Sequence, residues 1–363
     1  MEARLFGMDE RSFLLKKRTA SPGANGNLPV GAFIRIFRFS LMLTSDYGNS
    51  GERVSFIGLG GAFLTANSFA DGVATVRKAL DLGVTYFDTS PMYCRGASQA
   101  VLGEALDGTG VPHLLGTKLG YFARPERFRS PEALRAQFEE SLRLLRRDRV
   151  DTLLLHEADL RGWWADEPEG ASRRLDPDRQ YTFAAAPAFE LFRELKDEGR
   201  IRFCGISGNT AGNIGRVLEG ADVEAVLLAF NYDLLRRGAR SVLSRAKAKG
   251  AARMIGALFQ RGLAKPQPEL LDNPPGWMTQ PLADRYRALY KLQGESGLSL
   301  AAMGVRFLVG RKDELDVAII GAKSPEEIEE CARAVEAGPL PEDLLAEIEK
   351  LALPENGGSE AMS

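Results

Sequence analysis

Four residues of this 363-residue chain, Asp88, Tyr93, Lys118 and His156, have types and placements that could do chemistry together. Asp88 closes the apolar run VTYFD, Tyr93 stands in the loop after Pro91, Lys118 follows HLLGT, and His156 follows VDTLLL. Singly, each has an ordinary role: a strand-end aspartate caps a helix, a lysine is a solvated charge, a lone histidine is satisfied structure. Jointly, four ionisable groups of different kinds at neighbouring strand ends are what a proton-transfer site needs. A tyrosine is a poor acid–base group at neutral pH, with an ordinary pKa of about 10, and a nearby ammonium is expected to favour the phenolate and lower that value. Asp88 would hold Lys118 charged and in place, and His156 would donate a hydrogen bond that orients a carbonyl. His113, the other histidine, begins its strand and is expected at the opposite end in a structural role.

Such residues meet only if the fold brings these strand ends to one mouth. From residue 54 onward, short apolar or β-branched runs alternate with segments of helical period. The runs are VSFIG (54–58), VTYFD (84–88), HLLGT (113–117), VDTLLL (150–155), RFCGI (202–206), EAVLLA (224–229), RMIGA (253–257) and VAIIG (317–321). Between and after them the helical spacing is carried by residues such as Val73, Val76 and Leu80, by Leu134, Phe138, Leu142 and Leu145, and by Ile328, Ala332 and Val335. Eight such units in about 270 residues predict a (β/α)₈ TIM barrel, since a doubly wound sheet usually stops at about five to seven strands. Chemistry should then cluster at the C-terminal ends of the strands. Residues 1–50 read as an N-terminal extension outside the barrel core, because Lys16, Lys17 and Arg18 lead into the turn-rich SPGANGNLP. The barrel is expected over 51–340, and a C-terminal helix and tail over 341–363.

Composition narrows the partners. A formal net charge of −2 and the absence of a long basic run give no footprint for nucleic acid or an anionic membrane surface. The longest apolar candidate, FIRIFRFSLMLT, is short of the roughly 20 residues a membrane span needs and carries Arg35 and Arg38. Three widely spaced cysteines, Cys94, Cys204 and Cys331, form neither a disulfide framework nor a zinc pattern, so a reducing cytoplasm is expected. No metal is expected, since two histidines at opposite ends cannot furnish a multi-histidine site. The glycines of IGLGG could suggest a Rossmann fingerprint, but Phe63 stands where its third glycine belongs.

The runs VSFIGLGG, YFDTSPMY followed by LGEAL, GTK, LLLHEAD, EGRIRFCGIS and AIIGAKSPEEIEE occur in the order and spacing of a known set of landmarks. Across about residues 54–336 the chain thereby resembles the aldo-keto reductase superfamily. The resemblance implies a TIM barrel, a nicotinamide cofactor (NADP or NAD) laid across the strand ends, a small-molecule carbonyl or sugar substrate, and a tetrad of Asp88, Tyr93, Lys118 and His156. Ser207 matches the serine that contacts the carboxamide. Asn209 is the nearby candidate because Gly208 replaces the usual asparagine. Leu258, Phe259 and Gly262 match the loop that wraps the pyrophosphate, and Gly321, Ala322, Lys323 and Ser324 precede a helix whose N-terminal amides suit an anion. Lys323 could pair with an adenosine 2′-phosphate and Glu327 would repel one, which leaves the coenzyme open.

Departures from the family pattern point to a branch. LLAFNYDLL lacks the glutamine that usually contacts the nicotinamide amide, and IGALF lacks the stacking tyrosine, with Gly256 near its position and Phe259 as a candidate substitute. This resembles the sugar-oxidising branch, the L-fucose and D-threo-aldose dehydrogenases, and implies oxidation of an aldose or lactol to a lactone. The alternatives are a general NADPH-dependent aldehyde or ketone reductase and a weakly catalytic, nucleotide-sensing reductase-like subunit. Neither the physiological direction nor the oligomeric state follows from these residues. The long connection from 157 to 187 leaves from His156, and its Trp163 and Trp164 either wall a substrate or pack the loop onto the barrel.

Overall fold

The computed structural model describes residues 42–354, apart from 168–169, 172, 260–262 and 277. A hairpin of β1 (Thr44–Asp46) and β2 (Arg53–Ser55) precedes the barrel strands. These are β3 (Ile57–Gly60), β4 (Tyr86–Asp88), β5 (Leu114–Leu119), β6 (Thr152–Leu155), β7 (Phe203–Gly208), β8 (Ala225–Ala229), β9 (Ala252–Gly256) and β10 (Val317–Gly321). They pair in parallel in chain order, and β10 closes the barrel against β3. All eight expected strands are present, the first in altered form. Val54 and Ser55 belong to the hairpin, and the barrel strand begins only at Ile57.

Alternation along each strand divides the apolar residues between two cores. Phe87, Leu115, Leu153, Leu155, Ile206, Val226, Leu228 and Ile255 join the shell of helices outside the barrel. Tyr86, Leu114, Leu154, Leu227, Met254, Val317 and Ile319 fill its interior. Both faces are dry, so the strands read as nearly continuous apolar runs. Gly60 faces a crowded wall, where a methyl group would come within 2.8 Å of Ile319 Cγ2.

The helices follow from local signals. In the helix Pro131–Leu145, Ser130 accepts a hydrogen bond from the Ala133 amide, Pro131 occupies the first turn, and Leu134, Phe138, Leu142 and Leu145 are buried at helical spacing. Such a cap is worth about 1 kcal/mol. Among the described residues no helix is long and apolar enough to cross a membrane. The expected C-terminal helix spans Glu342–Lys350, and residues 355–363 lie outside the described residues.

One boundary needs correction. Residues 1–41 lie outside the described residues, but within 42–50, expected outside the core, Tyr47 belongs to it. Tyr47 is 1% exposed, stacks on Tyr86 with ring centroids 5.6 Å apart, and shares a 2.9 Å hydrogen bond with Thr152 Oγ1. The hairpin therefore plugs the N-terminal end of the barrel. An aromatic ring in an otherwise turn-rich stretch gave no periodic signal of this.

Candidate active site

The ends of β4, β5 and β6 bring Asp88, Lys118 and His156 together. Asp88 is the last residue of β4, Lys118 lies one residue before the end of β5, and His156 follows β6. The Lys118 ammonium is fully buried; it donates to Asp88 Oδ2 at 2.5 Å and to the Thr89 carbonyl at 2.9 Å. It also sits over the Tyr93 ring, 4.7 Å from the centroid, while the His156 ring meets Tyr93 edge-on at 5.4 Å. All four residues line one cavity of about 610 Å³.

Burial governs the electrostatics of these groups. Burial raises the Tyr93 phenol well above its ordinary pKa, with Asp88 and Glu157 adding to the effect. The Lys118 ammonium beside the ring is itself paired with Asp88. Burial likewise raises the Asp88 carboxyl and lowers Lys118, each opposed by the partner's charge. Burial, then the Lys118 charge, holds His156 well below its ordinary value, so the imidazole is neutral at pH 7. Ser90 Oγ accepts the Met92 amide and shares a 2.9 Å hydrogen bond with His156 Nδ1, which leaves Nε2 as the other ring nitrogen.

The surrounding backbone is strained where it meets the cavity. Tyr121, Glu157, Phe230 and Ala257 follow β5, β6, β8 and β9, all have positive φ (between 52° and 65°), and all line the cavity. Left-handed backbone costs an ordinary residue about 1–2 kcal/mol, and such strain gathers at functional sites. Gly120 (φ +131°) makes the neighbouring turn, gripped by Gln137, which accepts from its amide and donates to its carbonyl, both at 2.8 Å. A methyl group there would press on Trp163 and on His156 Cβ.

The expected cofactor residues divide. Ser207, Asn209, Leu258, Phe259 and Gly321 line the cavity. Ser207 Oγ donates to the Leu155 carbonyl at 2.9 Å, so its lone pairs can accept from an amide. Ala322 is fully buried and offers no side-chain contact. Lys323, Ser324 and Glu327 gather at the start of the helix Pro325–Glu336. There the Glu327 carboxylate accepts the Lys323 amide at 2.8 Å, and the Lys323 ammonium lies 5.6 Å from the Phe63 ring centroid. Gly262 lies outside the described residues. The cavity reaches from the ends of β4 and β6, past Ser207 and Gly256, to Gly321 at the end of β10. At Gly256 a methyl group would touch only Leu227, at 3.6 Å, so the floor stays open. A trough of this extent fits an elongated nicotinamide nucleotide.

Among the cavity residues that the sequence did not single out are Tyr121, Glu157 and Arg174. The acid directly after His156 in LLLHEAD was the available signal for Glu157; Arg174 sits mid-loop without one. The 157–187 connection folds back on itself, with the Arg161 and Gly162 amides donating to the carbonyls of Arg173 and Ala171. Its tryptophans pack the loop onto the barrel. Trp163 is fully buried and donates to the His156 carbonyl, Trp164 donates to that of Ala158, and neither lines the cavity.

A parallel eight-stranded barrel with a buried lysine–aspartate pair, a phenol and a neutral imidazole at its mouth is the frame of a nicotinamide-dependent oxidoreductase. The Aldo/keto reductase family profile matches residues 56–353, and the chain belongs to that family. L-galactose dehydrogenase of Arabidopsis thaliana is 28% identical, over 85% of this chain and 93% of its own length. Pyridoxal 4-dehydrogenase of Microbacterium luteolum is 27% identical, over 77% and 89%. D-threo-aldose 1-dehydrogenase of a Pseudomonas species is also 27% identical, over 56% and 64%. Among solved structures, the holo form of an aldo-keto reductase from Bacillus halodurans superposes with a TM-score of 0.67 at 24% identity, covering 86% of this chain and 97% of that one. The fold is therefore shared, and the protein is an NAD(P)-dependent oxidoreductase.

Proposed function

We propose that the enzyme interconverts the carbonyl and alcohol forms of a small hydroxylated substrate, with Tyr93 as the proton-exchanging group. The convergence of Tyr93, Lys118, Asp88 and His156 on one cavity carries this reading. When bound, the nicotinamide supplies a hydride in reduction and accepts one in oxidation. In reduction, the His156 Nε2–H orients the carbonyl oxygen and the protonated Tyr93 gives that oxygen its proton, leaving an alcohol. In oxidation, Tyr93 takes the hydroxyl proton. Because burial raises the phenol, that direction strengthens as pH rises. Ser207 would hold the carboxamide, and the backbone from Leu258 and from Gly321 the phosphates.

The substrate class we propose is a cyclic aldose or similar lactol, oxidised to a lactone. Two of the named relatives are sugar dehydrogenases, and the open floor at Gly256 replaces the usual stacking ring. The coenzyme we propose is NAD. What supports this reading is the Glu327 carboxylate, with Glu326 beside it in the first helical turn, since negative charge near the adenosine ribose would repel a 2′-phosphate. The test is turnover of NAD⁺ and NADP⁺ on a panel of aldoses from neutral to alkaline pH, beside reduction of aromatic aldehydes. Aldehyde reduction with no sugar oxidation at any pH would refute the sugar reading. Tyr93→Phe keeps the ring and removes the hydroxyl, so turnover should fall at least about 100-fold with coenzyme affinity unchanged. Near-normal turnover in that variant would remove Tyr93 from the reaction.

A further inference from the structure

We propose that Glu157, oriented by Arg174 and Asn209, determines substrate specificity by accepting hydrogen bonds from the hydroxyl groups that flank the reacting carbon of a neutral polyhydroxylated substrate. The inference rests on the carbonyl–alcohol reading of the site and names what recognises the rest of the substrate. Glu157 directly follows His156, and its left-handed backbone (φ +52°) belongs to the set of strained turns at the cavity. The carboxylate is held by three neighbours: Asn209 Nδ2 donates to Oε1, Arg174 Nη1 lies 3.4 Å from Oε2, and the Tyr121 hydroxyl hydrogen-bonds to it. A carboxylate has about four acceptor positions, so these contacts leave capacity for a ligand. The side chain is 13% exposed, dry enough to make a strong acceptor and open enough to be reached.

The local charge sets the class of ligand. Arg174 also pairs with the fully buried Asp159 at 3.0 Å, so two carboxylates face one guanidinium. Lys118 is already matched by Asp88. Among the described residues, the charges that line the cavity are matched, Glu157 by Arg174 and Asp88 by Lys118, so no unmatched cation is left there for a phosphorylated sugar or a sugar acid, while hydroxyl donors are drawn to Glu157. Space extends beyond it. Tyr121, Glu157 and Arg174 also line an adjoining cavity of about 370 Å³ walled by Phe122, Phe128 and Leu160, so they form the partition that a longer hydroxylated chain would meet. A simple aldehyde offers no hydroxyl there and leaves the desolvated carboxylate uncompensated.

The experiment compares glyceraldehyde with propanal, which share the reacting group and chain length and differ in hydroxyls. Rates of reduction are measured for the wild type, Glu157→Gln and Glu157→Asp. The wild type should favour glyceraldehyde in kcat/KM. Glu157→Gln should cut that preference at least about tenfold, because a neutral acceptor replaces a charged one. Glu157→Asp, which keeps the charge, should recover part of it. Glyceraldehyde 3-phosphate should gain in relative rate only in Glu157→Gln. An unchanged preference, or equal loss on both aldehydes, would overturn the assignment while the catalytic reading stands. A wild type that turns over neither aldehyde with either nicotinamide would overturn the catalytic reading and this inference with it.

Discussion

Replacing Lys118 by methionine should damage stability and turnover together, and a second substitution should separate them. The Lys118 side chain is fully buried and that of Asp88 is 3% exposed, with 2.5 Å between the charged atoms. Removing one partner of a buried pair leaves the other uncompensated, and Lys118→Met should cost about 3–5 kcal/mol. The loss should depend on pH in a defined sense. Burial raises the Asp88 carboxyl, and without Lys118 nothing opposes that effect. A group whose folded pKa is raised contributes stability below its unfolded pKa and loses it as pH rises through the folded one. The penalty of Lys118→Met is therefore full at neutral pH and shrinks as the solution is acidified toward the ordinary carboxyl range. The double variant Asp88→Asn, Lys118→Met carries no stranded charge and should recover most of the stability. It should not recover turnover, which should stay at least about 100-fold down in both variants, because the ammonium over the Tyr93 ring is gone. Urea denaturation at several pH values gives the stabilities, and cofactor absorbance gives the rates. A double variant with near wild-type turnover would show that the pair is structural only.

Three further outcomes follow from the geometry. With Tyr93 raised and His156 lowered, kcat/KM for reduction should stay level through the ordinary histidine range near about 6.5, as a pH–rate profile would show; an inflection there that vanishes in His156→Gln would contradict a neutral imidazole. Lys323→Ala should weaken NADPH binding more than NADH binding, and Glu327→Arg should strengthen NADPH selectively, both read by fluorescence titration; equal effects on the two coenzymes would place these side chains out of reach of the adenosine ribose. Tyr47→Ala should remove the barrel plug and cost about 3–5 kcal/mol while leaving KM unchanged; an unaffected denaturation midpoint would mean that the hairpin contributes nothing to the core.

The barrel was legible in the sequence because each strand is buried on both faces and each helix on one. Continuous apolar runs therefore alternate with a 3.6-residue period, and counting them gives the closed eight-stranded sheet. The grouping of Asp88, Lys118 and His156 followed from the same count, since parallel strands of a barrel end at one rim. What the tertiary structure decided depends on distance and burial, which no spacing encodes. Where the Lys118 ammonium sits relative to Asp88 and the Tyr93 ring, and that burial raises the phenol, depend on the folded barrel mouth. Tyr47 joined the core because the hairpin folds beneath the barrel, a contact across 105 residues to Thr152. Glu157 and Arg174 are 17 positions apart in a connection without periodicity, and only the loop's return over the mouth makes them neighbours. Local pattern determines elements and their order; contacts between distant loops set the charge and shape of the space where a substrate must fit.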